Sequence, residues 1–371
     1  MLSRIASVLQ ALSVLVTLLV VGEGLSFLAL RFLARRARAS TISSRSMPAY
    51  RQFPWADTFW REQQLALSYE AHPSGLWRSR PFKGATIVVD GEGVRRTVHS
   101  QCEGDTPTVY VFGGSTVWGY GSPDSETIPS HLARRFAEDG RPACVVNFGE
   151  DAWRSDSGLI KLIQELKRPG ARRPDRVVFL NGCNDVFTPF FLTGRADREW
   201  EFEQTKGWLD ELLKIREGSL KYLTLTNTVS LARRIATRLK KPVGWPWPPD
   251  PDRLAREIVD NHLANIRVVD GLSRSHGFRY SFFWQPLSIA GAKALTAEEQ
   301  EGTARQLGPS LDLARVAVNK TFPIMHAAAT GNFHDLAGVF DGVPGSVYLD
   351  SCHLLPEGNR ILAEAIYPLV R

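Results

Sequence analysis

From residue 106 onward the sequence alternates β-rich apolar runs with amphipathic helical stretches, and this alternation limits the fold more than any other feature. Strands are expected at 108–113, 143–148, 176–181, 279–284 and 345–349. Helices are expected at 125–139, 156–168, 251–276, near 311–330 and at 357–370. Elements in this order and spacing predict an α/β fold whose parallel sheet is covered on both faces. Residues 188–250 interrupt the pattern with helix-like pieces at 200–216 and 227–240 and a proline-rich run at 242–251. That run reads as a stiff extended loop, because each proline fixes φ and removes a donor. The insertion either shapes and covers a pocket or decorates the periphery.

The first strand leads into V-Y-V-F-G-G-S-T-V-W-G-Y-G (109–121), where Gly113 and Gly114 deliver Ser115 onto a tight turn. A serine at the carboxyl end of a parallel strand sits where open α/β sheets keep their chemistry. Two plainer readings compete: Ser115 as a helix N-cap, or the turn as a phosphate cradle. The phosphate motifs fail on spacing, and Val117 rules out the nucleophile elbow G-x-S-x-G.

Three further strand ends carry polar clusters. Val145-Val-Asn147-Phe-Gly149-Glu-Asp-Ala152-Trp153 leaves the second strand with a turn whose backbone N–H groups can act as donors. Gly182-Cys-Asn184-Asp185 leaves the third; its asparagine amide can meet a developing oxyanion, or the cluster can simply form a turn. Near the carboxyl end, Asp350-Ser-Cys-His353 precedes Pro356 at the first position of the last helix. Three-residue spacing there can bring a carboxylate to an imidazole, the pair that activates a serine.

Taken together, these four blocks resemble the SGNH (GDSL-like) hydrolases, over about residues 105–371. The resemblance implies a three-layer α/β/α sandwich with a five-stranded parallel sheet, flavodoxin-like. It implies Ser115 as nucleophile, His353 as general base and Asp350 as its partner. The oxyanion hole would be the Ser115 N–H, the Ala152 N–H and the Asn184 amide. Glycine is usual in the family where Ala152 stands, and the donor is expected to survive only with negative φ; Gly149 is the substitute donor. G-G-S-T in place of G-D-S-L is a milder departure. Trp118, Trp153 and Phe187 flank these blocks as pocket candidates, with core packing the other reading.

The amino-terminal run from Ile5 to Gly22 is uncharged and continues beyond Glu23 to Leu30, the length of a membrane span. A signal peptide has a shorter apolar region, so an uncleaved single-pass anchor is the expectation. Arg31, Arg35, Arg36 and Arg38 follow it. Taken literally, the positive-inside rule puts the main domain in the cytoplasm. Large domains translocate regardless, so the side is held open, leaning to periplasmic or extracellular. The chain thus divides into an anchor with its basic flank (1–38), an aromatic-rich approach segment packing on the main domain (39–104), and the hydrolase-like domain (105–371). A short hairpin is expected to turn at Asp90-Gly91.

At 371 residues, 43% hydrophobic and 23% charged, the chain can bury a large core. Its +6 charge owes much to arginines near 31–51 rather than to an aromatic-and-basic stripe, which argues against nucleic-acid binding. Cys102, Cys144, Cys183 and Cys352 form no C-x-x-C pattern; they permit disulfides without requiring them, and Cys183 and Cys352 flank site residues. The eight histidines show no metal-ligand spacing, and no cofactor is expected. The expected function is a membrane-anchored esterase acting on a small-molecule or glycan ester, such as O-acetyl on a carbohydrate. The alternatives are an O-acyltransferase using the same triad, and a catalytically silent carbohydrate-binding or assembly protein.

Overall fold

Thr108–Gly113 (β1) is buried at every residue, as a strand covered on both faces must be. With Cys144–Gly149 (β2), Arg176–Asn181 (β3), Arg279–Trp284 (β4) and Phe333–Asp335 (β5) it forms one parallel sheet in the order β2-β1-β3-β4-β5. Side chains alternate across it. Val109 and Val111 meet Ile128, Leu132, Leu362 and Ile366 on one face. Tyr110 and Phe112 meet Leu162, Ile258 and Val318 on the other. The helices Ile128–Glu138 and Pro356–Val370 cover the first face; Ser155–Lys167, Pro251–His276 and Leu311–Ala328 cover the second. The result is a three-layer α/β/α sandwich. Strand order reverses between β1 and β3, the switch point at which such sheets hold ligands.

The computed structural model describes residues 2–40, 47–72, 76–196, 227–228, 230–231 and 247–371. Two compact units divide the chain: Met1–Ser46 with Glu201–Gly244, and Met47–Trp200 with Trp245–Arg371. In the first, Leu2–Ser40 is one helix, and its stretch Ser13–Phe32 is long and apolar enough to cross a membrane. Most of the helical pieces expected at 200–216 and 227–240, and the first half of the proline run, lie outside the described residues. The run's last residues are described: Asp250 caps Pro251–His276 by accepting the Arg253 N–H at 2.9 Å, with Pro251 opening the helix.

Four strands lie where the sequence places them, to within a residue; the fifth does not. Residues 345–349 are not a strand of the sheet. The N–H groups of Val347 and Tyr348 donate to Glu299 Oε1, at 2.8 and 3.0 Å. The Leu349 N–H donates to His353 O and the Leu355 N–H to Val347 O, folding the segment onto itself. Phe333–Asp335 takes the sheet edge instead. Glu299 belongs to a helix absent from the expectations, Ala297–Leu307, opened by a capping box with Thr296. The T-x-x-E signature for it stands in the sequence.

Within 47–104, Tyr50, Phe59, Trp60, Ile87 and Val89 pack with Trp118, Leu349 and Leu355. The expected hairpin turns at Asp90–Gly93, where the Asp90 N–H donates to Val94 O and the Arg96 N–H to Val88 O. Val88–Val89 also pairs with Phe82–Lys83 in a two-stranded sheet, and the hairpin's return arm adds a single bridge, Arg95 to Val89. Cys102 and Cys144 form a disulfide; Cys183 and Cys352 are free and buried.

Candidate active site

Gly113 and Gly114 let β1 end in a turn that has no room for side chains. A Cβ on Gly113 would lie 2.4 Å from Leu180 O, and one on Gly114 2.6 Å from the Asn184 amide nitrogen. The turn sets Ser115 at the start of a short helix, Ser115–Trp118, whose N-cap is Gly114. The capping reading of Ser115 therefore fails, and its hydroxyl meets His353 instead, Oγ to Nε2 2.7 Å.

His353 Nδ1 lies 2.7 Å from Asp350 Oδ2. An ionised carboxylate only accepts, so the ring proton belongs on Nδ1 and Nε2 is free to accept from Ser115 Oγ. Asp350 Oδ1 takes the backbone N–H groups of Cys352 and His353, at 3.0 and 2.8 Å. This local pattern is what the three-residue spacing supplies: one carboxylate fixes the backbone and the ring together. Burial alone would raise the Asp350 carboxyl, but the charge and hydrogen bonds of His353 outweigh it and hold it low. Burial likewise works against a charged His353, and the Asp350 carboxylate overrides it, keeping the imidazole well above its ordinary value. Tyr120 lies against the ring, centroids 4.3 Å apart.

Cys352 hydrogen-bonds the Cys183 thiol; that contact and burial push it well above its usual range, so it is a neutral thiol beside the histidine. Side-chain donors of Asp350, Cys352 and His353 lie within 4.8 Å of one another, close enough to hold an ion. Both nitrogens of His353 are already hydrogen-bonded, to Asp350 and Ser115, as a proton relay requires.

The oxyanion candidates fare differently. Among the described residues the N–H groups of Ser115 and Ala152 have no acceptor within the chain. The Asn184 amide gives one hydrogen to Trp153 O at 3.0 Å, leaving the other. Ala152 has φ +58°, contrary to the expectation that only a negative angle keeps the turn. Alanine tolerates the left-handed region at a cost of ~1–2 kcal/mol, so the turn keeps the backbone a glycine would adopt. Gly149 is not a substitute donor: its N–H donates to Asn147 Oδ1 at 2.9 Å.

The pocket candidates are corrected in part. Trp118 is fully buried beneath the Arg95 guanidinium, 4.3 Å from its ring, and lines nothing. Phe187 stacks on Phe191 within the core. Trp153 packs edge-on to Trp77 and borders a cavity lined also by Leu76, Phe148, Lys161 and Gln164.

Several bracing residues escaped the sequence. Arg95, 1% exposed, donates to Trp118 O, Gly119 O and Ser122 O and pairs with Asp124, fixing the loop after Ser115. Gly121 is held on both sides, its carbonyl by Tyr50 Oη and its N–H by Gln63 Oε1. Glu150 accepts from the Ser79 N–H and hydroxyl, while Tyr69 Oη and Trp77 Nε1 donate to Asp151. Asp185 accepts from the Ser155 N–H and hydroxyl, tying the element after Asn184 to the one after Ala152.

No protein-family model matches the chain, and no curated protein matches it. Solved structures do. A carbohydrate acetylesterase family member from Sinorhizobium meliloti aligns at 16% identity and TM-score 0.35, over 71% of this chain and 96% of its own. The lipase Lip_vut3 from a goat rumen metagenome aligns at 13% and 0.39, over 71% and 97%. A lipolytic protein of the G-D-S-L family from Veillonella parvula aligns at 13% and 0.34, over 70% and 96%. Similarity this remote carries no chemistry across, and the fold assignment stands on strand order and register.

Proposed function

We propose that this chain is an SGNH-type esterase that forms an acyl-enzyme on Ser115 and is held to a membrane by the helix containing Ser13–Phe32. The supporting observation is the line Ser115 Oγ, His353 Nε2, His353 Nδ1, Asp350 Oδ2, with both contacts at 2.7 Å, at the switch point of the sheet. Ser115 Oγ attacks the ester carbonyl carbon as its proton passes to Nε2, and Asp350 stabilises the ring cation. The tetrahedral oxyanion collapses, the carbon–oxygen bond to the alcohol breaks, and the leaving oxygen takes the proton from Nε2. Water then attacks the acyl carbon as its proton passes to Nε2; the bond from that carbon to Oγ breaks, Oγ takes the proton back from Nε2, and the acid leaves. Oxyanion donors would be the Ser115 and Ala152 N–H groups and the free hydrogen of the Asn184 amide.

Ser115 and His353 are only 7% and 9% exposed, which favours a short acyl group such as acetyl. The same enclosure limits water and supports a second reading, transfer of the acyl group to a sugar hydroxyl. Product ratios with and without an acceptor glycan separate the two. Ser115→Ala is expected to lower turnover of p-nitrophenyl acetate at least ~10³-fold with an unchanged circular dichroism spectrum. Undiminished turnover in that variant removes Ser115 from the chemistry and the esterase reading with it.

A further inference from the structure

Glu23 is the only charged residue between Arg4 and Arg31, and it lies midway along the 20-residue apolar span Ser13–Phe32. Its carboxylate is saturated. Oε1 accepts the N–H of Asn227 and, at 2.8 Å, its side-chain amide. Oε2 accepts the N–H and hydroxyl of Thr228 at 3.0 and 2.9 Å. One turn along, Ser26 Oγ lies 3.2 Å from Thr228 Oγ1. Ser26 is 6% exposed although its neighbours Leu25 and Phe27 are 63% and 45% exposed. Gly22, Glu23, Ser26, Ala29 and Leu30 form one covered stripe at helical spacing; every other residue of the span is exposed.

We propose that the part of the insertion bearing Asn227, Thr228 and Leu231 is membrane-embedded and docked on the anchor helix along the Glu23–Ser26 stripe, with bilayer lipid as the partner of both. The proposal rests on the anchor reading. Lipid offers a carboxylate no hydrogen bonds, so a buried one must have its lone pairs met by protein. A glutamate facing water needs no such enclosure. Four donors on one carboxylate fill its acceptor sites. The sequence agrees: Y-L-T-L-T-N-T-V-S-L-A (222–232) carries no charge and lies between Lys221 and Arg233-Arg234. That length suits a re-entrant or interfacial segment rather than a full span. Its threonines, asparagine and serine are the residue types that join helices in lipid, and the flanking bases suit anionic headgroups.

The test uses the full chain in phosphatidylethanolamine–phosphatidylglycerol vesicles, with a nitroxide on Leu19→Cys or on Leu231→Cys and the unsubstituted chain as background. Power saturation against oxygen and a water-soluble nickel chelate reads depth. Both labels are expected to favour oxygen and exclude nickel. Adding Glu23→Ala is expected to shift only the Leu231 label toward nickel. Leu231 in water with Leu19 in lipid overturns the proposal and leaves the anchor standing. Leu19 in water overturns the anchor reading and the proposal with it. A Leu231 label unmoved by Glu23→Ala overturns docking through Glu23.

Discussion

The proton on His353 Nδ1 decides whether Ser115 can be activated, because only a neutral ring with a free Nε2 accepts the hydroxyl proton. Asp350 holds the imidazole well above its ordinary value of 6.5. A protonated ring is inactive, so kcat/KM should rise with pH through a midpoint above that value. A pH profile of p-nitrophenyl acetate hydrolysis with its acidic limb at or below 6.5 contradicts the assignment. Ala152 is the other residue with an argued cost. Glycine there removes ~1–2 kcal/mol of left-handed strain and gives back ~0.5–1 kcal/mol in chain entropy. Ala152→Gly should therefore stabilise the fold by about 0.5–1 kcal/mol, seen as a higher urea midpoint. A lower midpoint contradicts the reading of the turn.

At the scale of elements, the approach segment grips both turns that flank the proposed nucleophile: Arg95, Tyr50 and Gln63 hold 118–122, and Ser79, Tyr69 and Trp77 hold 150–151. Glu150 is a buried carboxyl in this brace, 3% exposed. Burial outweighs the hydrogen bonds from Asp151 and Ser79 and pushes its carboxyl from 4.5 up to about 7. The folded chain then keeps a proton that the unfolded chain has released. This group's contribution to stability is complete below 4.5 and is lost as pH rises through about 7. The urea midpoint should fall between about pH 5 and about pH 8, and Glu150→Gln should flatten that part of the slope. Parallel slopes in the two proteins contradict the account.

These braces also mark what sequence reading reaches. β1 and β3 are nearly continuous apolar runs, β4 ends in Phe282-Phe-Trp284, and Asp350-x-x-His353 is a local motif, so these are legible. Phe333–Asp335 is three residues long and carries a histidine and an aspartate, too short and polar to read as a strand. Residues 345–349 look like one because Val347 and Tyr348 favour β structure, yet Glu299 claims their N–H groups. Arg95 and Glu150 act on residues far away in the chain, and nothing beside them in sequence announces a buried charge.

As a whole molecule, the chain combines a unit holding an apolar helix with an α/β unit bearing an acid, a base and a hydroxyl in line. If this hydroxyl is the nucleophile, a fluorophosphonate probe followed by peptide mass mapping of the full chain locates it directly. A single adduct on the peptide bearing Ser115, absent in Ser115→Ala and suppressed in His353→Ala, is the predicted result. No adduct on the wild-type chain, or an adduct that survives Ser115→Ala, would contradict it.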